Sequence, residues 1–205
     1  MNNFKISFIR HGKTEANEKR LYCGKSDLSL SDNGKKELKE ILQVKSYPKY
    51  SKYYTSGAKR ANETFEIIYG KEVYEKINEF WEYDFGDFEM KSYEMLKEDI
   101  SYVKWIEDID GEVSCPNGEN KKNYRVRISK AFTKFLKKLD EENIESALIL
   151  CHGGTIGTLL EIFGEVEGNF YSLQPKCGFG YETEVIFEKD NIKIKILNNI
   201  PKERG

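Results

Sequence analysis

Ala147-Leu148-Ile149-Leu150-Cys151 is an unbroken apolar run of strand length that stops on His152-Gly153-Gly154 and gives way to Ile156, Leu159, Leu160 and Phe163 at helical spacing. A strand that is apolar at every position is buried on both faces, which in a water-soluble chain calls for helices above and below a mostly parallel sheet. The chain opens with a similar step. Phe4, Ile6 and Phe8 alternate, Ile9 fills the second face, and the segment runs into Arg10-His11-Gly12.

The elements between repeat the alternation. Ser31 is placed to cap a helix whose core face is Leu38, Ile41 and Leu42. Lys52 to Ser56 reads as a short strand, followed by a helix with Ala61, Phe65, Ile68 and Tyr69 on one face, and Val73 to Ile77 as another strand. Ile128, Ala131, Phe132, Phe135, Leu136 and Leu139 mark a long amphipathic helix. Glu184–Glu188 and Ile192–Leu197 read as a hairpin around Asp190-Asn191. The expectation is a three-layer α/β/α fold with a mostly parallel central sheet. At 205 residues the chain fits a single domain, with a small helical cap inserted at about 86–120 that holds one helix from Tyr93 to Glu107.

Composition excludes several classes of function. Lys and Arg number 33 against 35 Asp and Glu, a net charge of −2, so no dominant basic footprint for nucleic acid is present. No apolar stretch has bilayer length and the opening Met1-Asn2-Asn3-Phe4-Lys5 lacks a signal pattern, which reads as a cytoplasmic protein without a membrane partner. Cys23, Cys115, Cys151 and Cys177 form no C-x-x-C pair, so neither a zinc knuckle nor a disulfide framework is indicated, and no metal or cofactor is expected. A cysteine phosphatase would need arginine six positions after its nucleophile, where this chain has Ser29, Lys121, Gly157 and Thr183. Gly12-Lys13-Thr14 and Gly24-Lys25-Ser26 imitate a P-loop tail, but the required earlier glycine is Ser7 in one case and Lys19 in the other. Asp108-Ile109-Asp110-Gly111 imitates an aspartyl-phosphate motif. It follows Tyr93, Leu96, Ile100, Val103 and Ile106 at helical spacing rather than a strand, so it reads as a helix end.

The chain has only two histidines, and both are followed by glycine at the end of an apolar run. With 16 glycines in 205 residues, coincidence gives this pair roughly a 0.6% chance. Ligands of open α/β sheets bind at the carboxyl ends of strands, which is where His11 and His152 fall.

Arg10-His11-Gly12-Lys13-Thr14-Glu15-x-Asn17, followed by Gly24, Asp27, Leu30 and Gly34, resembles the N-terminal signature of the histidine phosphatase superfamily, which includes the phosphoglycerate mutase-like enzymes. Thr55-Ser56-x-x-x-Arg60-Ala61-x-x-Thr64 resembles its second motif, Glu82-x-x-Phe85-Gly86 its acid motif, and His152-Gly153-Gly154 its last. The order is collinear. Phosphoryl transfer in a metal-free pocket needs a nucleophile, positive charge around the equatorial oxygens and a proton donor for the leaving alcohol. The resemblance assigns these roles to His11 as nucleophile, Arg10 and Arg60 as phosphate forks, His152 as a donor carrying positive charge, and Glu82 as general acid and then base. The ring nitrogen of His11 that does not attack is expected to be held by backbone near Gly12. Phe80, Trp81 and Phe85 are expected to give Glu82 apolar surroundings that raise its pKa. The resemblance further places Asn17, Cys23, Gly24 and Gly153 around the phosphate or the substrate.

Departures from the family pattern fall at Lys13, Gly57-Ala58 and Met90 and bear on substrate rather than chemistry. Mutases of the superfamily follow the acid with basic residues, whereas Tyr83-Asp84-Phe85 is expected to repel a carboxylate. A phosphatase of small phosphomonoesters is therefore favoured. Phe85-Gly86-Asp87-Phe88-Glu89 with the Pro116-Asn117-Gly118-Glu119 loop most resembles the α-ribazole phosphatases of cobalamin assembly. Broad-specificity sugar phosphatases, phosphoglycerate mutases and a non-catalytic phosphate-binding protein are the alternatives. Tyr22, Trp81 and Trp105 are either platforms for a flat base or packing in the core and cap.

Overall fold

Side chains of one central strand divide between two cores, and that division sets the layers. The computed structural model describes residues 2–189 and 191–204. In chain order the elements are β1 (Asn2–Arg10), α1 (Glu15–Glu18), α2 (Asp32–Val44), β2 (Lys45–Ser46), β3 (Lys52–Thr55), α3 (Lys59–Tyr69), β4 (Glu75–Lys76), α4 (Tyr93–Leu96), α5 (Ile100–Glu107), α6 (Lys121–Glu141), β5 (Ser146–Cys151), α7 (Gly153–Phe163), β6 (Gly180–Glu188), β7 (Asn191–Ile200) and β8 (Lys202–Glu203). Ala147, Ile149 and Cys151 of β5 join a core with Phe132, Phe135, Ile156 and Leu159 of α6 and α7. Leu148 and Leu150 face the other way, onto Ala61 and Phe65 of α3. The three-layer α/β/α fold is thus built on a strand buried on both faces, as the apolar run requires.

The six-stranded sheet has the order β4-β3-β5-β1-β6-β7. Its first four strands are parallel, and β6 and β7 add an antiparallel edge. Register fixes the functional end of the sheet. Arg10 pairs with Cys151 and Thr55 with Leu150, so the residues that follow β1, β5 and β3 emerge side by side. His11 donates its backbone N–H to Cys151 and Ser56 donates its own to Leu150, which carries the ladder one residue beyond the strands.

Several elements differ from their sequence reading. The strand expected over Val73–Ile77 shrinks to Glu75–Lys76 at the sheet edge, with Val73 84% exposed. The hairpin is longer than expected, and the Asp190 of its turn lies outside the described residues, as does Met1. The single helix expected over 93–107 is two. Asp99 accepts hydrogen bonds from Ser101 and Tyr102 N–H, which starts a new helix rather than continuing the old one. The face of α5 also differs: Ile100 is 73% exposed, while Tyr102 and Trp105 are buried. Both sets recur at helical spacing, and the larger aromatic surface takes the interior. Among the described residues no helix is long and apolar enough to cross a membrane.

Candidate active site

His11 and His152 leave adjacent strands and their rings meet edge to face, 5.2 Å between centroids. The Nδ1–H of His11 donates to the Gly12 carbonyl at 2.7 Å, which fixes the tautomer and leaves the Nε2 lone pair free. Gly12 is itself held, its N–H donating to Thr64 Oγ1, and that hydroxyl donates to the Arg60 carbonyl. Burial pushes the His11 pKa well below its ordinary value, and Arg60 and Arg10 push it the same way, so the imidazole is neutral. A neutral imidazole with one free nitrogen is a nucleophile.

His152 is held as a neutral ring by its neighbours. Its Nδ1 accepts a hydrogen bond from Arg60 Nε at 3.3 Å, so its proton sits on Nε2, 2.8 Å from Ser56 Oγ. Burial is the chief force lowering its pKa, with Arg60, His11 and Arg10 adding to it. The positive charge expected of this ring depends on pairing with a phosphate dianion, whose negative charge opposes that lowering.

Arg60 sits in the first turn of α3, where the helix dipole disfavours a cation, and it is fully buried. Its Nη1 donates to the Ser26 carbonyl at 2.8 Å and its Nη2 to the Gly24 carbonyl at 2.7 Å. Arg10 Nη1 donates to the Pro175 carbonyl, and its Nε is buried without a partner among the described residues. Neither guanidinium is in ion-pair contact with a carboxylate among the described residues. A buried charge without a counter-charge costs several kcal/mol, so fully buried Arg60 with half-buried Arg10 beside a free imidazole nitrogen makes a site for an anion.

Glu82 lies across the entrance. Its carboxylate accepts from Gly154 N–H at 2.8 Å, Tyr83 N–H at 2.9 Å and Tyr124 Oη at 2.7 Å. A Cβ at Gly154 would stand 2.2 Å from Glu82 Oε1, so any larger residue there would displace the carboxylate. The three aromatic residues expected around Glu82 make their ring contacts with other partners. Phe80 packs on Phe135 in the core, Trp81 covers Arg60 and His152, and Phe85 stacks on Tyr22 and Trp105. The backbone carbonyls of Trp81 and Glu82 are held by Arg127, which is paired with Glu119.

The remaining candidates separate into two groups. Asn17 and Cys23 line a cavity of about 680 Å³ that Arg10, Glu82 and Gly154 also border. Asn17 Oδ1 is occupied by the Thr14 N–H in a capping box, and Cys23 Sγ faces the Ser26 carbonyl. Gly153 packs against Arg10, where a Cβ would lie 3.0 Å from the guanidinium carbon. Gly24 is a correction: its N–H is taken by Glu89 and its carbonyl by Arg60, so it supports the pocket and offers no free donor to a phosphate. Asp84, expected to repel a substrate carboxylate, pairs with Lys25 and accepts from Gly86 N–H.

Tyr22, Phe85, Trp105, Phe170 and Tyr171 give the cavity an aromatic lining, interrupted by charged residues such as Asp108, Lys121 and Arg125. Tyr22 and Trp105 thus serve packing and the cavity at once, whereas Trp81 stays with the histidines. Sequence reading missed Ser56, Tyr124, Arg127 and the segment carrying Phe170, Tyr171 and Gln174. Ser56 alone had a signal, since it stands in the Thr55-Ser56 motif at a strand end.

An α/β fold with a buried imidazole pair and two guanidiniums at the parallel strand ends defines a phosphoryl-handling class of protein. The profile of the histidine phosphatase superfamily (branch 1) matches residues 6–199, and the chain belongs to that superfamily. An adenosylcobalamin/alpha-ribazole phosphatase of Salmonella typhimurium is 29% identical over 161 residues, covering 76% of this chain and 77% of that protein. A phosphoglycerate mutase of Schizosaccharomyces pombe is 30% identical over 176 residues, with the same coverage of the two chains. In structure, the alpha-ribazole phosphatase of Shigella flexneri superposes with a TM-score of 0.74 at 22% identity, over 95% of this chain and 96% of that one, a likeness of fold. These relationships make the protein a phosphatase-type enzyme acting on small phosphate compounds.

Proposed function

We propose that the protein is a phosphomonoesterase that works through a phosphohistidine on His11 without a metal ion. One observation carries this reading: His11 Nε2 is free and its ring locked by Gly12, beside two guanidiniums that have no carboxylate partner among the described residues. Nε2 attacks phosphorus as the bond to the leaving oxygen breaks, and Glu82 in its acid form gives that oxygen a proton. Glu82, now a carboxylate, takes a proton from water whose oxygen attacks phosphorus. The P–N bond breaks and inorganic phosphate leaves. Arg10 and Arg60 hold the equatorial oxygens, and the dianion supplies the negative charge that would let His152 take a proton and donate.

The substrate we assign is α-ribazole 5′-phosphate. A cavity of about 680 Å³ is large for a three-carbon phosphoacid, and its aromatic lining suits a flat base joined to a sugar. The names of the Salmonella and Shigella relatives point the same way. The test is phosphate release in excess chelator from α-ribazole 5′-phosphate, sugar phosphates and 3-phosphoglycerate, with a mass search for an acid-labile adduct on His11. Fastest release from α-ribazole 5′-phosphate, with adduct and release both lost in His11→Ala, is expected. A metal requirement or an intact rate in His11→Ala would overturn the mechanism. Phosphate exchange on phosphoglycerate with little net release would make it a mutase, and equal rates across sugar phosphates a broad-specificity enzyme.

A further inference from the structure

Glu89 touches none of the residues assigned to the chemistry, yet four backbone N–H groups converge on its carboxylate. Gly24 N–H donates to Oε1 at 2.9 Å and to Oε2 at 3.1 Å, Lys25 N–H to Oε1 at 2.9 Å, Ser26 N–H to Oε2 at 3.3 Å and Phe85 N–H to Oε1 at 3.2 Å. Three of these belong to one turn, a backbone concavity of the kind that binds anions. The carbonyls of the same turn, Gly24 and Ser26, hold both terminal nitrogens of Arg60.

One peptide unit joins the two charges. The Gly24 carbonyl that accepts from Arg60 Nη2 and the Lys25 N–H that donates to Glu89 are the two ends of a single amide. Its dipole points its negative end at the guanidinium and its positive end at the carboxylate. The turn has no slack, because a Cβ at Gly24 would stand 1.5 Å from the Tyr83 carbonyl oxygen. Three of the five N–H bonds of Arg60 are taken, by Ser26, Gly24 and His152, which leaves the other two for an anion. A carboxylate in direct contact would compete with phosphate for those donors.

We propose that Glu89 is the positioning residue of Arg60, a counter-charge that acts through the Gly24–Lys25 peptide and holds the guanidinium while leaving its free donors open to phosphate. The inference rests on the phosphate-pocket reading above and adds a residue outside the reacting shell to it. It makes a prediction of sign. If Glu89 were a bystander, removing its negative charge would tighten anion binding by relieving repulsion. If it holds Arg60, the same removal weakens binding.

The probe is orthovanadate, with affinity for the folded protein measured by titration and thermal stability measured in parallel. Glu89→Gln is expected to weaken vanadate binding about tenfold, and Glu89→Asp, which keeps the charge one methylene short, by less. In the Arg60→Ala background Glu89→Gln should have little further effect, since the residue it serves is gone. Unchanged or tighter binding in both Glu89 variants, with Arg60→Ala weak, overturns the role of Glu89 alone. So does a Glu89→Gln effect that persists undiminished without Arg60, or one confined to a lower Tm. Absence of vanadate binding by the unmodified protein removes the pocket reading and this inference with it.

Discussion

The bottom of the site, at the strand ends, and the rim of the cavity beside it are built by different rules. At the bottom, His11, His152 and Ser56 follow three parallel strands in register, and each functional side chain is fixed by backbone or a neighbour. At the rim, Trp105 comes from a short helix, Ile109 is 97% exposed, and Tyr171 stands 74% exposed on a turn. The pocket is positioned by a sheet that cannot slip without inverting its core. The rim is positioned by caps and aromatic stacking, which tolerate exchange. Chemistry is thus tied to the fold and substrate choice is tied to loops.

The largest break in that comparison is His11→Ala. Removal of the nucleophile should lower kcat on the order of 10⁴-fold or more for every substrate alike, in a steady-state assay with a bulky and a small phosphomonoester. A loss that differs strongly between the two would tie His11 to the substrate's body instead. Glu82→Gln comes next. A general acid contributes about 10² to 10⁴-fold, and the loss should be full for an alkyl phosphate but small for p-nitrophenyl phosphate, whose leaving group needs no proton. Equal losses on both would deny Glu82 the acid role.

That contrast also explains what could be read from the sequence. His11 and His152 were legible because a buried strand ends where its apolar run ends, and Arg60 because the segment 55–64 resembles the second motif of the family. The three-layer sheet followed from the alternation of strand and helix patterns, with the doubly buried run 147–151 at its centre. Tyr124 was not legible, since it meets Glu82 across 42 positions only once α6 packs against the acid loop. The inward face of α5 was ambiguous because Ile100 and Trp105 lie on rival stripes of equal period. The acid's true surroundings were hidden for a related reason: Phe80, Trp81 and Phe85 adjoin Glu82 in sequence but turn toward three different neighbours. Contacts made within the sheet are local in pattern, whereas those made by the cap depend on packing that no spacing encodes.

The two histidines allow a test of the pocket without substrate. Both are buried with pKa values pushed below the ordinary 6.5. Between the lowered value and 6.5 the unfolded chain binds more protons than the folded one, so stability is complete above about 6.5 and falls as pH drops through that window. With only two histidines, the imidazole Cε1–H region of the NMR spectrum holds two signals. Neither should titrate with a midpoint at or above 6.5 in the phosphate-free protein, and Tm should decline on acidification below it. A midpoint at or above 6.5 for either ring would mean that the pocket holds an imidazolium before phosphate arrives.

The smallest effect should come from the rim. Tyr171 is exposed, borders the cavity and makes its ring contact with its neighbour Phe170, so Tyr171→Ala removes an aromatic surface at little cost to stability. Loss of one stacking face is worth about 1 kcal/mol, which raises KM for a base-bearing substrate by about fivefold. kcat should hold, because a group that binds ground and transition states alike changes only KM. For a small substrate that does not reach the rim, both constants should be unchanged. If KM for the small substrate rises equally, Tyr171 acts on the phosphate pocket and the division between bottom and rim fails at that point. If the bulky substrate alone is affected, the strand-end pocket and the rim are energetically as separate as their construction implies.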